Sequence, residues 1–348
     1  MKKLLISLAL LFAILSGLAN PSVADEQKQI EILPTMASES AAPNRIWVGT
    51  FQIVWNEVIE NITKKPIKFI GFDSPMAQLL NKKSFKKSDI SESAYYTKSG
   101  IVSPELKTTI EKGIKDKFNE TSDILDMFDW SYNPQKIFIY AMLKKDFKFL
   151  EAFDKLPDGI FGQNYTPVKY FGRNEDSKKK LAKNVNVLFY NANNDFAVKL
   201  YTKGKDEVLV YRTDEEKTFD IYYSEINKKT KNFKGDKNFN KDDKLSIPNI
   251  SLYQETSFKE VEGHRIKGTN FKIDKTIETV DFKMDNEGVK LKSEAAIMMK
   301  CMALPIERGR NFRFNDKFVL FLIEKGQKTP YYAMRVNDVE TLNKTEKK

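Results

Sequence analysis

The alternation of apolar and polar residues is clearest between Thr276 and Ile323, where it predicts two strands separated by a long segment. The first strand ends at the turn-forming Asn286 and Gly288. Its apolar positions are Ile277, Val280, Phe282 and Met284. The apolar run Phe318–Ile323 predicts a second strand, buried on both faces. About twenty residues between the strands contain few turn formers, and a loop that long is usually functional or disordered.

The loop has a pattern of its own. Two sets of side chains alternate from Val289 onward, as in a strand with one buried face. One set is Val289, Leu291, Ser293 and Ala295, and the other is Lys290, Lys292, Glu294 and Ala296. The pattern therefore predicts that this loop can become a strand.

The rest of the chain alternates between helical and strand patterns. Asn44–Ile62 has apolar residues at helical spacing, and its tryptophans are more typical of core packing than of a ligand platform. Further helices are predicted over 71–80, 105–127 and 218–232. Strands are predicted over 136–153, 166–199, 208–211, 244–250 and 329–336, with a hairpin turn at Asn193–Asn194.

The first residues are typical of a secretory signal peptide. Lys2 and Lys3 precede an apolar run, and Ser22-Val23-Ala24 is a small-residue cleavage site, so we expect residues 1–24 to be removed. An uncleaved N-terminal anchor is the alternative. We expect the mature protein to be secreted, either extracellular or periplasmic, with a linker over 25–43, one domain over 44–340 and a charged tail over 341–348.

Composition narrows the class of protein. The chain has 58 basic and 48 acidic residues, a net charge of +10, and its lysine patches lack interleaved aromatic residues. Such patches are typical of solvated surface, so we expect no nucleic-acid partner and no stable membrane insertion. One cysteine excludes an intramolecular disulfide, and 41% hydrophobic residues suffice for the core of one large domain. We expect a monomer.

Catalytic and metal-binding patterns are weak. His264 and Cys301 are the single histidine and the single cysteine, and a catalytic pair would need them within hydrogen-bond reach with an orienting partner. His264 stands in the turn-like Glu262-Gly263-His264, which is typical of a surface loop, so we predict no enzyme activity. Residues 236–242 alternate oxygen-bearing side chains as in a calcium loop, but Lys241 stands where that loop needs glycine. Asp123, Asp126 and Asp129 have the spacing of a solvated helix end. We expect neither a metal nor a cofactor.

The loop segment EGVKLKSEAAIMM resembles the hinge and reactive loop of the serpin family, and FRFNDKFVLFLI is similar to a serpin strand. Residues 244–250 and 329–336 resemble two further serpin strands. The strand over 136–153 is similar too, with Tyr140 at the usual asparagine. This resemblance, to a divergent bacterial form, implies an α+β fold with a large mixed central sheet, smaller sheets, surrounding helices and a long exposed loop.

The resemblance also implies a function: inhibition of an extracellular serine or cysteine peptidase by a bait loop that inserts into the central sheet. The implied hinge is Glu287, Gly288, Val289, Lys290, Leu291, Lys292 and Ser293, and the implied bait is 293–305. Counting along the loop places the attacked bond after Met302 and before Ala303, with Lys300 and Cys301 as alternatives.

Two alternatives stay open. The hinge residues Val289, Lys290, Leu291 and Lys292 are bulkier than is usual in the family, which favours a non-inhibitory binding protein whose loop does not insert. Cys301 is either an exposed, reactive thiol or a small hydrophobe covered by the neighbouring methionines.

Overall fold

The computed structural model describes residues 29–290 and 309–344, apart from the side chains of Asn164 and Lys290. Within those residues the chain forms seventeen strands and five α-helices. The strands are β1 Ile30–Leu33, β2 Asn44–Val48, β3 Tyr95–Val102, β4 Asn133–Leu143, β5 Asp146–Lys148, β6 Asp154–Phe161, β7 Asn164–Arg173, β8 Val185–Ala192, β9 Asp195–Tyr201, β10 Asp206–Arg212, β11 Lys244–Pro248, β12 Ile250–Thr256, β13 Glu278–Met284, β14 Gly288–Lys290, β15 Asn311–Arg313, β16 Phe318–Glu324 and β17 Tyr332–Val336. The α-helices are α1 Gly49–Val58, α2 Pro75–Leu80, α3 Pro104–Phe118, α4 Phe219–Asn232 and α5 Val339–Asn343.

Shorter helical turns complete the chain. A π-helical turn, Ile59–Thr63, extends α1. The 3₁₀ turns are Lys87–Asp89, Glu92–Ala94, Leu125–Met127, Lys179–Asn184 and Lys259–Val261.

The strands form four sheets, and the class is α+β, as the sequence predicts. The largest sheet has seven strands in the order β1-β2-β17-β16-β10-β9-β8; it is mixed, because β1 and β2 run parallel. Two sheets have four strands, β15-β11-β7-β6 and β12-β13-β14-β5, and β3 pairs with β4 alone.

The main core lies against the seven-stranded sheet. Every residue of β16 is buried, in agreement with the apolar run predicted there. Phe219 and Tyr223 of α4 pack against Phe321 of β16, with ring centroids 6.1 and 5.5 Å away. A second cluster lies where α3 covers β3 and β4.

The helix predicted over Asn44–Ile62 begins later than expected. Asn44–Val48 is β2, which pairs with β1 on one side and β17 on the other. Backbone pairing on both sides outweighs the helical spacing of its apolar residues. Trp47 and Trp55 are both buried in the core, so the tryptophans do serve packing.

Both predicted boundaries of the domain were wrong. The supposed linker over 25–43 contains β1, whose Ile32 and Leu33 are buried, and it is therefore part of the large sheet. The supposed tail contains the end of α5, where Leu342 is fully buried. Short elements of this kind have too few residues for a clear period in sequence.

Two other elements differ from the prediction. The helix predicted over 105–127 ends at Phe118, because Asn119 adopts the left-handed conformation that closes a helix. The strand predicted over 136–153 is divided into β4 and β5 by Lys144 and Lys145. No helix among the described residues is long and apolar enough to cross a membrane.

Candidate functional site: the hinge of a divided sheet

Two of the four sheets, β12-β13-β14-β5 and β3-β4, are linked by the chain that runs from β4 to β5, and we call the pair the divided sheet. At one end, β13, β14 and β5 lie side by side. Beyond that end, β4 pairs with β3 and β13 pairs with β12, and no ladder among the described residues joins β4 to β13. Among the described residues, β4 is therefore paired on one edge only, and β13 is paired on its second edge only where it meets β14.

The short strand β14 lies between β13 and β5, at the end where the divided sheet is joined. It runs antiparallel to both neighbours: Val289 lies opposite Met284 of β13 and opposite Phe147 of β5. Gly288 and Lys290 complete the pairing with β5. The residues predicted as the start of the hinge are thus a strand held on both sides, and Leu291, Lys292 and Ser293 lie outside the described residues.

The turn before β14 is fixed by backbone hydrogen bonds. Asp285 N donates to Gly288 O at 3.1 Å, which closes the turn between β13 and β14. Phe149 N donates to Glu287 O at 2.9 Å, and Phe153 N donates to Asn286 O at 2.8 Å. Asn286 Nδ2 returns a bond to Phe153 O at 3.2 Å. The turn is therefore tied to the chain that follows β5, and both ends of β14 are positioned.

Gly288 is required by the close approach of β5. A Cβ atom at this position would lie 2.2 Å from the carbonyl oxygen of Phe147 and 2.7 Å from the Cα of Lys148. Both atoms belong to backbone that is already paired, so no side-chain rotation could relieve the contact. The glycine predicted from the sequence as a hinge residue thus has a steric reason.

Val289 contributes the core contact of β14. Its side chain is fully buried and lies opposite Met284 and Phe147. A valine, although bulkier than is usual in the family at this position, therefore fits the sheet. Glu287, by contrast, is exposed and makes only a long ion pair with Lys148, at 4.0 Å. Such a pair contributes little.

Helix α1 lies beneath the division. It packs against β4, and Phe51 N near its first turn donates to Glu278 Oε1 of β13 at 3.3 Å. Glu278 is buried, and its Oε2 has no hydrogen-bond partner among the described atoms. Burial raises the pKa of Glu278 to about 8. The carboxyl is therefore mostly protonated at neutral pH.

A buried ion cluster stands where β4 and β5 are interrupted. Lys145 Nζ binds Asp206 at 2.8 Å and also Glu324. Tyr331 donates its hydroxyl to Asp206 at 2.9 Å, and Ser91 donates to Glu324 at 2.7 Å. Although burial opposes it, the bonds from Lys145 and Ser91 hold the pKa of Glu324 below its usual value. Lys145, which lies between β4 and β5, is thus anchored by two buried carboxylates.

The described chain resumes at Gly309, and a second anchor lies there, in a different sheet. Gly309 has φ +90°, and a Cβ there would lie 2.2 Å from the carbonyl oxygen of Asp242. Arg310 then binds Asp243 through Nη2 at 2.6 Å, before β15 joins β11. The segment 291–308 therefore connects two sheets, and both of its ends are fixed.

Arg310 also explains the oxygen-rich stretch that resembles a calcium loop. Its Nη1 donates to the backbone oxygen of Asp236 at 2.6 Å. The Asp236 carboxylate itself accepts from Asn238 and Asn240, which lower its pKa, the Asn240 bond first. A guanidinium thus occupies the place where a cation would be sought, and no group of three metal-ligating side chains occurs among the described residues.

The other predicted positions have ordinary surroundings or cannot be placed. His264 stacks on Phe72 with ring centroids 4.2 Å apart. Tyr140 is buried beneath α3, with its hydroxyl 3.5 Å from Ser122 Oγ. The bond candidates Lys300, Cys301, Met302 and Ala303 lie outside the described residues. Asp123, Asp126 and Asp129 do not belong to α3, which ends before them.

The large mixed sheet is not the sheet of the hinge, contrary to the expectation. The hinge strand belongs to β12-β13-β14-β5, whereas the seven-stranded sheet lacks an unfilled position between its strands. Sequence reasoning also missed Lys145 and Glu278 as parts of this region. Their only signal was a charge at a position where the strand pattern calls for an apolar residue.

Comparisons with known proteins find similarity among solved structures. No protein-family model and no curated protein matches. Similar solved structures include Serpin48 of the insect Tenebrio molitor, at 13% identity and TM-score 0.45, covering 83% of this chain and 95% of that one.

Two human structures are similar at the same level. Glycosylated kallistatin has 12% identity and TM-score 0.44, over 83% of this chain and 96% of its own. Thyroxine-binding globulin has 11% identity and TM-score 0.41, over 79% and 84%. All three are serpins. The description of β14 above rests on its own strand pairing and not on this likeness.

Proposed function

We propose that this protein inhibits an extracellular serine or cysteine peptidase by offering residues 293–305 as bait and then inserting the loop into the divided sheet. The observation that carries the proposal is β14, which is paired on both sides by β13 and β5, while beyond it no described strand joins β13 to β4. A strand that continues β14 beyond Lys290 would have backbone groups of β13 on one side and those of the chain from β5 back to β4 on the other.

The described register fixes how such a strand would fit. Extending the ladder past Val289 sets Leu291 opposite Phe282 and Lys145, then Ser293 opposite Val280 and Leu143. Ala295 would follow opposite Glu278 and Ala141. Val280, Phe282, Ala141 and Leu143 all contact the main core, so the odd-numbered loop residues would be buried and the even-numbered ones would face outward. This assignment of loop residues to a buried and an outward face matches the alternation in the sequence.

Cutting the bait would release the restraint that its second anchor imposes. While the loop is intact, its far end is held at Gly309 and Arg310 in another sheet. After cleavage, the half that begins at Val289 would be free to enter between β4 and β13. An acylated peptidase attached to that half would be dragged along and distorted, as in the family mechanism.

The first experiment is thermal unfolding before and after the loop is nicked with a nonspecific peptidase. Insertion predicts that the midpoint rises by about tens of degrees, because a strand paired on both sides is added. A matched pair of variants tests the register: Ser293→Lys places an ammonium toward the core and should abolish the rise, while Glu294→Lys faces outward and should keep it. An unchanged midpoint in the unmodified chain would contradict insertion.

The second experiment identifies the target and the bond. A panel of extracellular peptidases is tested for complexes that survive SDS, and the released C-terminal fragment is weighed by mass spectrometry. A fragment that begins at Ala303 supports attack after Met302. One that begins at Cys301 or Met302 would instead place the bond after Lys300 or Cys301.

A non-inhibitory binding protein is the second candidate, and one observation favours it. Lys145 lies between β4 and β5, at the first position that the extended β14 would have to pair with. It is held by two buried carboxylates, those of Asp206 and Glu324. Leu291 would have to pack beside this cluster before insertion could continue. If nicking leaves the midpoint unchanged and no peptidase forms a complex, the binding function is the better account.

A further inference from the structure

Two segments of the chain concentrate its positive charge. Residues 178–183 and 228–241 together carry ten lysines and a single carboxylate, that of Asp236. Their net charge is thus +9, against +10 for the whole chain. The lysines are Lys178, Lys179, Lys180, Lys183, Lys228, Lys229, Lys231, Lys234, Lys237 and Lys241.

Both segments lie along β8, the last strand of the seven-stranded sheet. The turn Lys179–Asn184 leads directly into β8, and α4 packs against the same strand. After α4 the chain returns along the edge, where Val187 N donates to Lys237 O at 3.0 Å. The eight residues of β8 span roughly 25 Å. The lysines therefore follow one side of the molecule, which we call the lysine edge.

Most of these lysines are available to a partner. Among the described residues, only Lys180 and Lys229 of this set form ion pairs, with Glu151 at 2.5 Å and with Asp195 at 2.7 Å. The Asp236 carboxylate is occupied by its own neighbours, Asn238 and Asn240. Eight ammonium groups are left without a paired carboxylate in the described part of the chain.

The side chains between the lysines indicate what kind of anion they would bind. The two aromatic residues of the segments, Phe233 and Phe239, pack against or within the core, so neither offers a free ring for stacking a nucleic-acid base. Lysine ammonium groups act as point charges that require no fitted pocket. Because they come from two segments that both contact β8, they present a broad surface rather than a single point of contact.

We propose that the lysine edge binds the surface of an anionic lipid bilayer by electrostatic attraction, without insertion. Clusters of lysine near a membrane are attracted by anionic headgroups over about a Debye length, whatever their detailed arrangement. This proposal is independent of the hinge, which lies in another sheet, and a failure of either leaves the other standing.

The test is flotation of the full chain with vesicles of phosphatidylcholine containing about 30 mol% phosphatidylglycerol, at low salt. The combined variant Lys179→Gln, Lys183→Gln, Lys231→Gln and Lys234→Gln should weaken binding roughly a thousandfold. Its control removes the same charge elsewhere on the surface: Lys65→Gln, Lys68→Gln, Lys82→Gln and Lys86→Gln should bind nearly as the unmodified chain does. Circular dichroism verifies that both variants are folded.

Pure phosphatidylcholine vesicles measure any uptake through the apolar run near the N-terminus, which all three proteins share. Equal binding of the unmodified chain to neutral and anionic vesicles would overturn the proposal, as would an equal loss in the control variant. Binding to a soluble acidic polysaccharide or to DNA, with no binding to anionic vesicles, would also overturn it, because the partner would then be a free polyanion.

Discussion

The seven-stranded sheet and the divided sheet are built from similar strands but differ in how completely those strands are paired. In the first, β16 lies between β10 and β17, and all of its residues are buried. In the second, β4 and β13 each have one edge that no described strand covers, except at the end of β13 where β14 lies between β13 and β5. The comparison shows that, among the described residues, one sheet is paired throughout, while the other is paired on both sides of β14 only at one end; the proposed insertion would add a strand to the second.

The largest expected difference between the two regions concerns side-chain truncation. Phe321→Ala should destabilise the protein by about 3–5 kcal/mol, because it leaves a cavity beneath α4 in a completed sheet. Ile137→Ala on β4, where the side chain is 38% exposed, should cost less than about 1 kcal/mol. Urea unfolding of both variants checks this contrast, and equal costs would mean that β4 is packed as tightly as β16.

The next effect is the pH dependence that Glu278 introduces at the base of the division. Its folded-state pKa of about 8 lies above the ordinary value of 4.5, so the folded state keeps a proton that the unfolded state releases. The stabilisation that the protonated Glu278 contributes should therefore be greatest below about pH 4.5, fall as pH rises toward 8 and level off above it. The slope of this contribution is at most about 1.4 kcal/mol per pH unit.

Glu278→Gln should remove this dependence, since the amide keeps the shape and carries no charge. Its matched control is Glu287→Gln, an exposed carboxylate of the hinge that should leave the profile unchanged within about 0.5 kcal/mol. Free energies of unfolding measured at several pH values decide the matter. A profile that Glu278→Gln does not alter would show that Glu278 ionises normally.

A smaller effect is expected at the hinge itself. Gly288→Ala should cost about 1–3 kcal/mol, because its methyl group would meet the backbone of Phe147 and Lys148 and push β14 away from β5. Limited proteolysis should then cut near residues 285–290 faster than in the unmodified chain. Gly204→Ala is the control, since the nearest atom to its Cβ lies 4.0 Å away. Equal proteolysis of all three proteins would argue against the close approach.

The sequence predicts the strands of this protein better than their partners. Phe318–Ile323 is recognisable because burial on both faces leaves a continuous apolar run. The hinge is recognisable because Gly288 follows an alternating strand and Val289 resumes the alternation. These are local patterns, and local patterns determine which face of a strand is buried.

What the sequence could not supply depends on contacts between distant residues. Lys145 binds Asp206 and Glu324, and Glu278 meets the start of α1, pairs that no spacing reveals. Nor could it show that the hinge belongs to a four-stranded sheet rather than the seven-stranded one, because pairing partners are set by the whole topology.

Hydrogen exchange of the backbone amides, measured before and after cleavage within 291–308, tests most directly whether the divided sheet accepts the loop. We predict that amides of β4 and β13 exchange faster than those of β16 in the intact protein. After cleavage, the exchange of β4 and β13 should become several tens of times slower, while that of β16 stays unchanged. If cleavage leaves β4 and β13 as they were, or if both are already as protected as β16 beforehand, the position between them is not open to a strand.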